Sequence, residues 1–128
     1  MIAILDDKMG NIRSVENALR RLGAEYVLTD DRTVIAKADH VILPGVGHCG
    51  EAVHHLRERN LCRFIKDLRH PVLGICVGMQ VMCRHTEEGD TDCLNLFDAH
   101  VRKFDAADGL KVPHMGWNDI TNLDGKLF

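Results

Sequence analysis

Four short apolar runs, each closed by a turn and followed by residues at helical spacing, constrain this chain more than any other feature. They are Ile2 to Leu5, Tyr26-Val27-Leu28, His40-Val41-Ile42-Leu43 and Val72-Leu73-Gly74-Ile75. Each has the length of a buried strand. Residues 11 to 22 carry Ile12, Val15, Leu19 and Leu22 at helical spacing, and Gly23 follows as a C-cap. Val34 to Lys37 predicts a short helix. Residues 51 to 68, with Val53, Leu56, Phe64, Ile65 and Leu68, predict one helix or two broken near Asn60, and Gly78 to Arg84 predicts another. Beyond residue 90 the pattern weakens, although Ala99 to Phe104 alternates as a strand would. Strands alternating with helices over short connections demand parallel pairing and right-handed crossovers. The expected class is therefore α/β: an open, mainly parallel sheet with helices on both faces. The 128 residues suit one domain, and no repeat or linker divides them.

Composition excludes several functions. Sixteen basic and 19 acidic residues give a net charge of −3, and no Lys/Arg cluster stands out, so nucleic acid is not an expected partner. No apolar run approaches a membrane span, and the start, Met1-Ile2-Ala3-Ile4-Leu5-Asp6, is not patterned as a signal peptide. The five cysteines are odd in number and never spaced Cys-x-x-Cys. That argues against a disulfide framework or structural zinc and for a reducing cytoplasm. No metal or cofactor is expected.

In open α/β sheets the chemistry gathers at the carboxyl ends of the strands. Three segments fall there: Asp6 to Asn11, Pro44 to Gly50, and Cys76 to Gln80. The most informative is Gly74-Ile75-Cys76-Val77-Gly78, a small-x-nucleophile-x-small pattern between a buried strand and a helix. A nucleophile at such a turn stands on a strained residue, and side chains two positions to either side would strike neighbouring backbone. The turn aims a helix N-terminus at the sulfur, which favours a thiolate, and leaves the N–H of Val77 for an oxyanion. The plainer alternative is a core cysteine flanked by accidental glycines. Pro44-Gly45-Val46-Gly47 ends the preceding strand beside that turn and offers Val46 and Gly47 as a second source of oxyanion N–H groups. It lacks the Lys-Ser/Thr ending of a phosphate-binding P-loop.

Together these segments resemble the class I glutamine amidotransferases. Gly74-Ile75-Cys76-Val77-Gly78-Met79-Gln80 is similar to their nucleophile motif and Pro44-Gly45-Val46-Gly47 to their oxyanion strand. Met9-Gly10-Asn11, Arg13-Ser14-Val15 and above all Lys111-Val112-Pro113-His114-Met115-Gly116-Trp117-Asn118 narrow the resemblance to glutaminase subunits of the histidine pathway. The resemblance implies a flavodoxin-like core, of which residues 1–128 would be the N-terminal portion, incomplete at the C-terminus. It implies hydrolysis of glutamine to glutamate and ammonia by Cys76, with the ammonia passed to a barrel-shaped synthase (cyclase) subunit. Gly47, Gln80 and Glu88 would hold the substrate, Glu88 through its amino group. Met9, Asn11, Pro113, His114, Met115, Trp117 and Asn118 would face the partner.

Two departures stand out. Asp7-Lys8 replaces the family's usual Tyr-Gly, and the His-x-Glu pair that serves the family as general base and its orienting group is absent from these 128 residues. Of the eight histidines, His48 is nearest the oxyanion turn, where it is a candidate to approach Cys76 or a plain polar side chain. Two alternatives compete. A phosphoacceptor receiver domain would explain Asp6-Asp7 but requires an aspartate where Pro44 stands. Another cysteine-dependent hydrolase of related fold would share the elbow but leave Lys111 to Asn118 unexplained.

Overall fold

The computed structural model describes residues 1–6, 8, 11–109 and 111–121. Four parallel strands form the central sheet: β1 (Ile2–Leu5), β2 (Tyr26–Thr29), β3 (His40–Leu43) and β4 (Val72–Gly74), in spatial order β2-β1-β3-β4. Five helices connect or follow them: α1 (Ile12–Arg21), α2 (Arg32–Lys37), α3 (Cys49–Glu58), α4 (Leu61–Asp67) and α5 (Val77–Met82). The order reverses between β1 and β3, which makes this a doubly wound sheet with a topological switch point there. Right-handed crossovers then send the first connection to one face and the later ones to the other.

The strand period of two sorts the core accordingly. Ala3, Leu5, Val41 and Leu43 are buried with Ile35 of α2, Val53 and Leu56 of α3, Leu61 and Ile65 of α4, and Val77 and Val81 of α5. Ile4 and Ile42 face the other way, onto Leu19 of α1, with Ile2, Ile12 and Val15 packed against them. Helices thus lie on both faces, one against four. Register places Leu73 beside Ile42 on the thinly covered face, where it stays 38% exposed.

Several boundaries differ from the sequence reading for local reasons. Helix α2 starts at Arg32, two residues early, because Asp31 caps it by accepting from the N–H of Thr33 at 2.8 Å. The region 51–68 does split near Asn60, which adopts a left-handed φ of 55° between α3 and α4. Gly23 takes φ +66° just after α1, the conformation that ends a helix without Cβ strain. The alternating stretch from Ala99 yields only β7 (His100–Val101), which pairs parallel with β5 (His85–Thr86), itself antiparallel to β6 (Thr91–Asp92). This second, three-stranded sheet was not expected from the sequence. Among the described residues, no helix is long and apolar enough to cross a membrane.

Candidate active site

The elbow is built from the glycines. Strand β4 ends at Gly74, Ile75 N–H donates to the Leu43 carbonyl at 3.0 Å, and Cys76 turns the chain with φ 54° and ψ −117°. A positive φ is costly for a residue with a Cβ and persists only where packing imposes it. Here the packing is visible. A Cβ on Gly78 would lie 1.8 Å from the Leu43 carbonyl oxygen, and one on Gly74 would lie 2.6 Å from Met79 Cα. A Cβ on Gly45 would come within 2.6 Å of Gly78 N. The Pro44–Gly47 turn therefore lies directly on the start of α5, at a distance only paired glycines permit.

Cys76 is exposed. Its carbonyl accepts from the N–H groups of Met79 and Gln80, which starts α5 and puts Val77 at the first helical position. The first N–H groups of a helix have no intrahelical acceptor. Gly47 adopts φ +84° with open space about it, so Val46 and Gly47 form an exposed turn that favours glycine. The other four thiols are all pushed above their ordinary range by burial. Cys93 rises furthest, to about 12, with the Cys49 thiol beside it.

Gln80 and Glu88 line one cavity of about 700 Å³. Glu88 Oε2 accepts from the N–H of Cys49, the first residue of α3, at 2.6 Å. A carboxylate at a helix N-terminus is favoured by the orphan N–H groups and by the helix dipole. The same cavity is also lined by Arg102 and Lys103, with Pro113 and His114, two residues expected at a partner face. Glu87, which lines it too, accepts from the Lys103 N–H at 3.0 Å.

His48 does not serve Cys76 in this arrangement. It caps α3, its Nδ1 accepting from the N–H of Glu51 at 3.3 Å. His54 and His55 meet Glu58, His85 lies between Asp90 and Asp92, and His114 meets Asn118. Among the described residues no histidine hydrogen-bonds the Cys76 sulfur. Met115 and Trp117 are exposed, Trp117 completely at 103%, as are Asn11, Pro113, His114 and Asn118. Met9 lies outside the described residues, as does Asp7. Sequence reasoning missed two residues at the site: Cys49, whose N–H holds Glu88, and Thr86, a fully buried hydroxyl. Neither carries a local signal, since Cys49 and Glu88 meet across 39 positions.

The receiver-domain alternative fails on this geometry, because buried Pro44 follows β3 and Cys76 follows β4. Comparison with known proteins agrees. Residues 3–126 match the family model for class-I glutamine amidotransferases. The chain is 52% identical over 128 residues to the imidazole glycerol phosphate synthase subunit HisH of Bacteroides thetaiotaomicron, across 99% of this chain and 65% of that protein. Against the same subunit from Idiomarina loihiensis it is 45% identical over 119 residues, covering 93% of this chain and 60% of the relative. The chain thus spans less than two thirds of the length of these curated relatives. A solved glutamine amidotransferase superposes with a TM-score of 0.66 at 20% identity, over 80% of this chain and 56% of that one. A putative peptidase E protein from Listeria monocytogenes gives 0.63 at 15%, over 76% and 62%. These two likenesses establish the α/β fold, and the sequence match establishes the family. The chain belongs to the class-I glutamine amidotransferases.

Proposed function

We propose that this chain carries the nucleophile half of a glutaminase, the ammonia-generating component of imidazole glycerol phosphate synthase. The observation that carries the reading is Cys76: an exposed thiol on a strained strand-to-helix residue, with the Pro44–Gly47 turn packed against the helix it opens. The Cys76 thiolate attacks the side-chain amide carbon of glutamine. The oxyanion that forms is held by the N–H of Val77 and by the Val46–Gly47 turn. The C–N bond then breaks, a proton goes to the departing nitrogen, and ammonia leaves a glutamyl thioester. Water cleaves the thioester, releasing glutamate and restoring the thiol. Gln80 and Glu88 hold the amino-acid end of the substrate, with the Glu88 carboxylate on the ammonium. The ammonia passes to a synthase subunit in a cytoplasmic heterodimer. The exposed Asn11, Pro113, His114, Met115, Trp117 and Asn118, together with Met9, face that partner. Similarity to HisH subunits supports this assignment.

The test is labelling by a chloroketone analogue of glutamine, mapped by mass spectrometry. Cys76 should be modified first, at a rate that saturates with analogue concentration, and L-glutamine should protect it while D-glutamine does not. Labelling that is linear in analogue, indifferent to glutamine, or earlier at Cys49, Cys62, Cys83 or Cys93 would remove the reading.

A further inference from the structure

We propose that Thr86 is a positioning residue for the substrate: its hydroxyl fixes the turn carrying Glu88, so that one carboxylate oxygen stays on the Cys49 N–H and the other faces the cavity. This deepens the reading of Glu88 as the ammonium holder and rests on it. Among the described residues, Thr86 is the one polar side chain in the buried class, at 0% exposure. A buried hydroxyl costs stability unless it is hydrogen-bonded, so its partners identify its role. Thr86 Oγ1 accepts from the N–H of Glu88 at 3.2 Å. The hydroxyl also lies beside the thiol of Cys49, the residue whose N–H receives the carboxylate. Glu88 is therefore held at both ends, its backbone by Thr86 and its Oε2 by the start of α3.

The turn beyond Glu88 is tight. Gly89 has φ +80° and Asp90 φ 44°, Asp90 N–H donates to the Glu87 carbonyl at 3.2 Å, and Thr91 Oγ1 donates to the Gly89 carbonyl at 2.8 Å. A Cβ on Gly89 would meet the His48 ring at 2.9 Å, so the turn packs on the residue that caps α3. Those contacts fix the turn's shape. The Thr86 bond fixes where it stands relative to the cavity, because it joins the buried residue of β5 to Glu88, which lines the cavity. Among the described residues Glu88 Oε1 takes no hydrogen bond or ion pair, which leaves it for a ligand cation. A valine at position 86 keeps the buried volume and removes the acceptor, so the expected loss is in substrate binding and not in thiol chemistry.

The experiment is saturation labelling of Cys76 by the chloroketone, giving an apparent KI and a limiting rate, with iodoacetamide reactivity as a control for the thiol itself. Thr86→Val should raise KI about fivefold, the size of one hydrogen bond, with the limiting rate and the iodoacetamide rate unchanged. Thr86→Ser should restore the parental KI. Should the valine variant fail to fold, Thr86→Ser against Thr86→Ala isolates the same hydroxyl, and KI should rise only in the alanine variant. Glu88→Gln should raise KI at least as much as Thr86→Val. Parental KI in a folded Thr86→Val, or an equal rise in Thr86→Ser, overturns the role of the hydroxyl. Absence of saturation in the parent chain instead overturns the glutaminase reading, so the two failures are distinguishable.

Discussion

Gly78→Ala is the substitution on which the elbow geometry makes its sharpest statement. A Cβ there would stand 1.8 Å from the Leu43 carbonyl oxygen, 2.7 Å from the Leu43 carbonyl carbon and 3.0 Å from the Pro44 carbonyl carbon. A carbon normally approaches a carbonyl oxygen to about 3.3 Å, so helix α5 or the end of β3 must yield by about 1.5 Å. The obstacle is backbone on both sides and cannot be relieved by a rotamer change. Overpacking of this kind costs about 3 kcal/mol, the upper end of the usual range. Against this, Gly78 lies in a helix, where alanine is intrinsically better by about 1 kcal/mol. The net loss is about 2 kcal/mol, or about 6–8 °C in Tm for a domain of this size. Gly23→Ala is the control: φ is +66° with open space around the position, so only left-handed strain opposes it, worth about 1 kcal/mol. Thermal melts by far-ultraviolet circular dichroism, with urea midpoints beside them, should rank parent above Gly23→Ala above Gly78→Ala. Saturable labelling of Cys76 should be lost in Gly78→Ala and kept in Gly23→Ala. A Gly78→Ala protein melting at or above the parent would mean that helix propensity wins and that the turn does not lie on α5 as described.

Three further outcomes are expected. Trp117→Ala should change the melting temperature by no more than about 2 °C, because Trp117 is fully exposed, while weakening capture by the synthase subunit tenfold or more; a stability loss without an affinity loss would refute the interface role. Burial holds the Cys93 thiol up to about 12, whereas an unfolded thiol titrates near about 8.5. The folded state thus keeps a proton that the unfolded state releases, so this stabilisation is complete below pH ~8.5 and declines as pH rises toward the folded value. Cys93→Ala should flatten the alkaline fall in urea midpoint, and an unchanged slope would contradict the burial. Finally, the 128-residue chain should release no ammonia from glutamine above a Cys76→Ala control, even with synthase subunit and its nucleotide ligand present. Acid–base assistance is worth about 10²–10⁴-fold, and no described histidine hydrogen-bonds the sulfur. Turnover abolished in the Cys76→Ala control would mean that a histidine of this chain or of the partner acts as base.

The parts of the fold legible in the sequence are those with local causes. Four apolar runs became β1 to β4 because each is bounded by turn residues; β1 and β3 are largely buried on both faces, whereas Leu28 of β2 and Leu73 of β4 stay partly exposed. The glycines at 45, 74 and 78 were readable because the elbow requires missing side chains at fixed offsets, and each one now has a specific atom that excludes a Cβ. The cap at Asp31 carried a signal that the apolar spacing overrode, which cost two residues at the start of α2. Strands β5 and β6 were not readable at all. His85–Thr86 and Thr91–Asp92 are two residues each and polar; they pair with each other across a short turn, and β5 is held on its other edge by β7, where Arg84 N–H donates to the Ala99 carbonyl at 2.9 Å. His48 was ambiguous from sequence because its ring has a local use, capping α3, that no apolar pattern reveals.

Stability and function are joined at the elbow and separable at the turn beyond it. Gly45, Gly74 and Gly78 set the spacing between β3, β4 and α5, and the same spacing packs the Pro44–Gly47 turn against the start of the helix that Cys76 opens. Damage there must lower both the melting temperature and the reactivity, so kinetics alone cannot assign those glycines a chemical role. Glu88 is different. It is exposed, it makes no ion pair among the described residues, and it is held by one bond from Cys49 and one to Thr86. Cys49 opens α3 two residues after Gly47 and is itself buried in the core, so a carboxylate held there is indexed to the Pro44–Gly47 turn through the start of α3. Loss of that index should shift where a substrate's ammonium sits relative to the thiol while leaving the core packed. A raised KI for the glutamine analogue with an unchanged limiting labelling rate is therefore the signature expected at Thr86 and Glu88, and a combined loss of stability and reactivity the signature at the glycines.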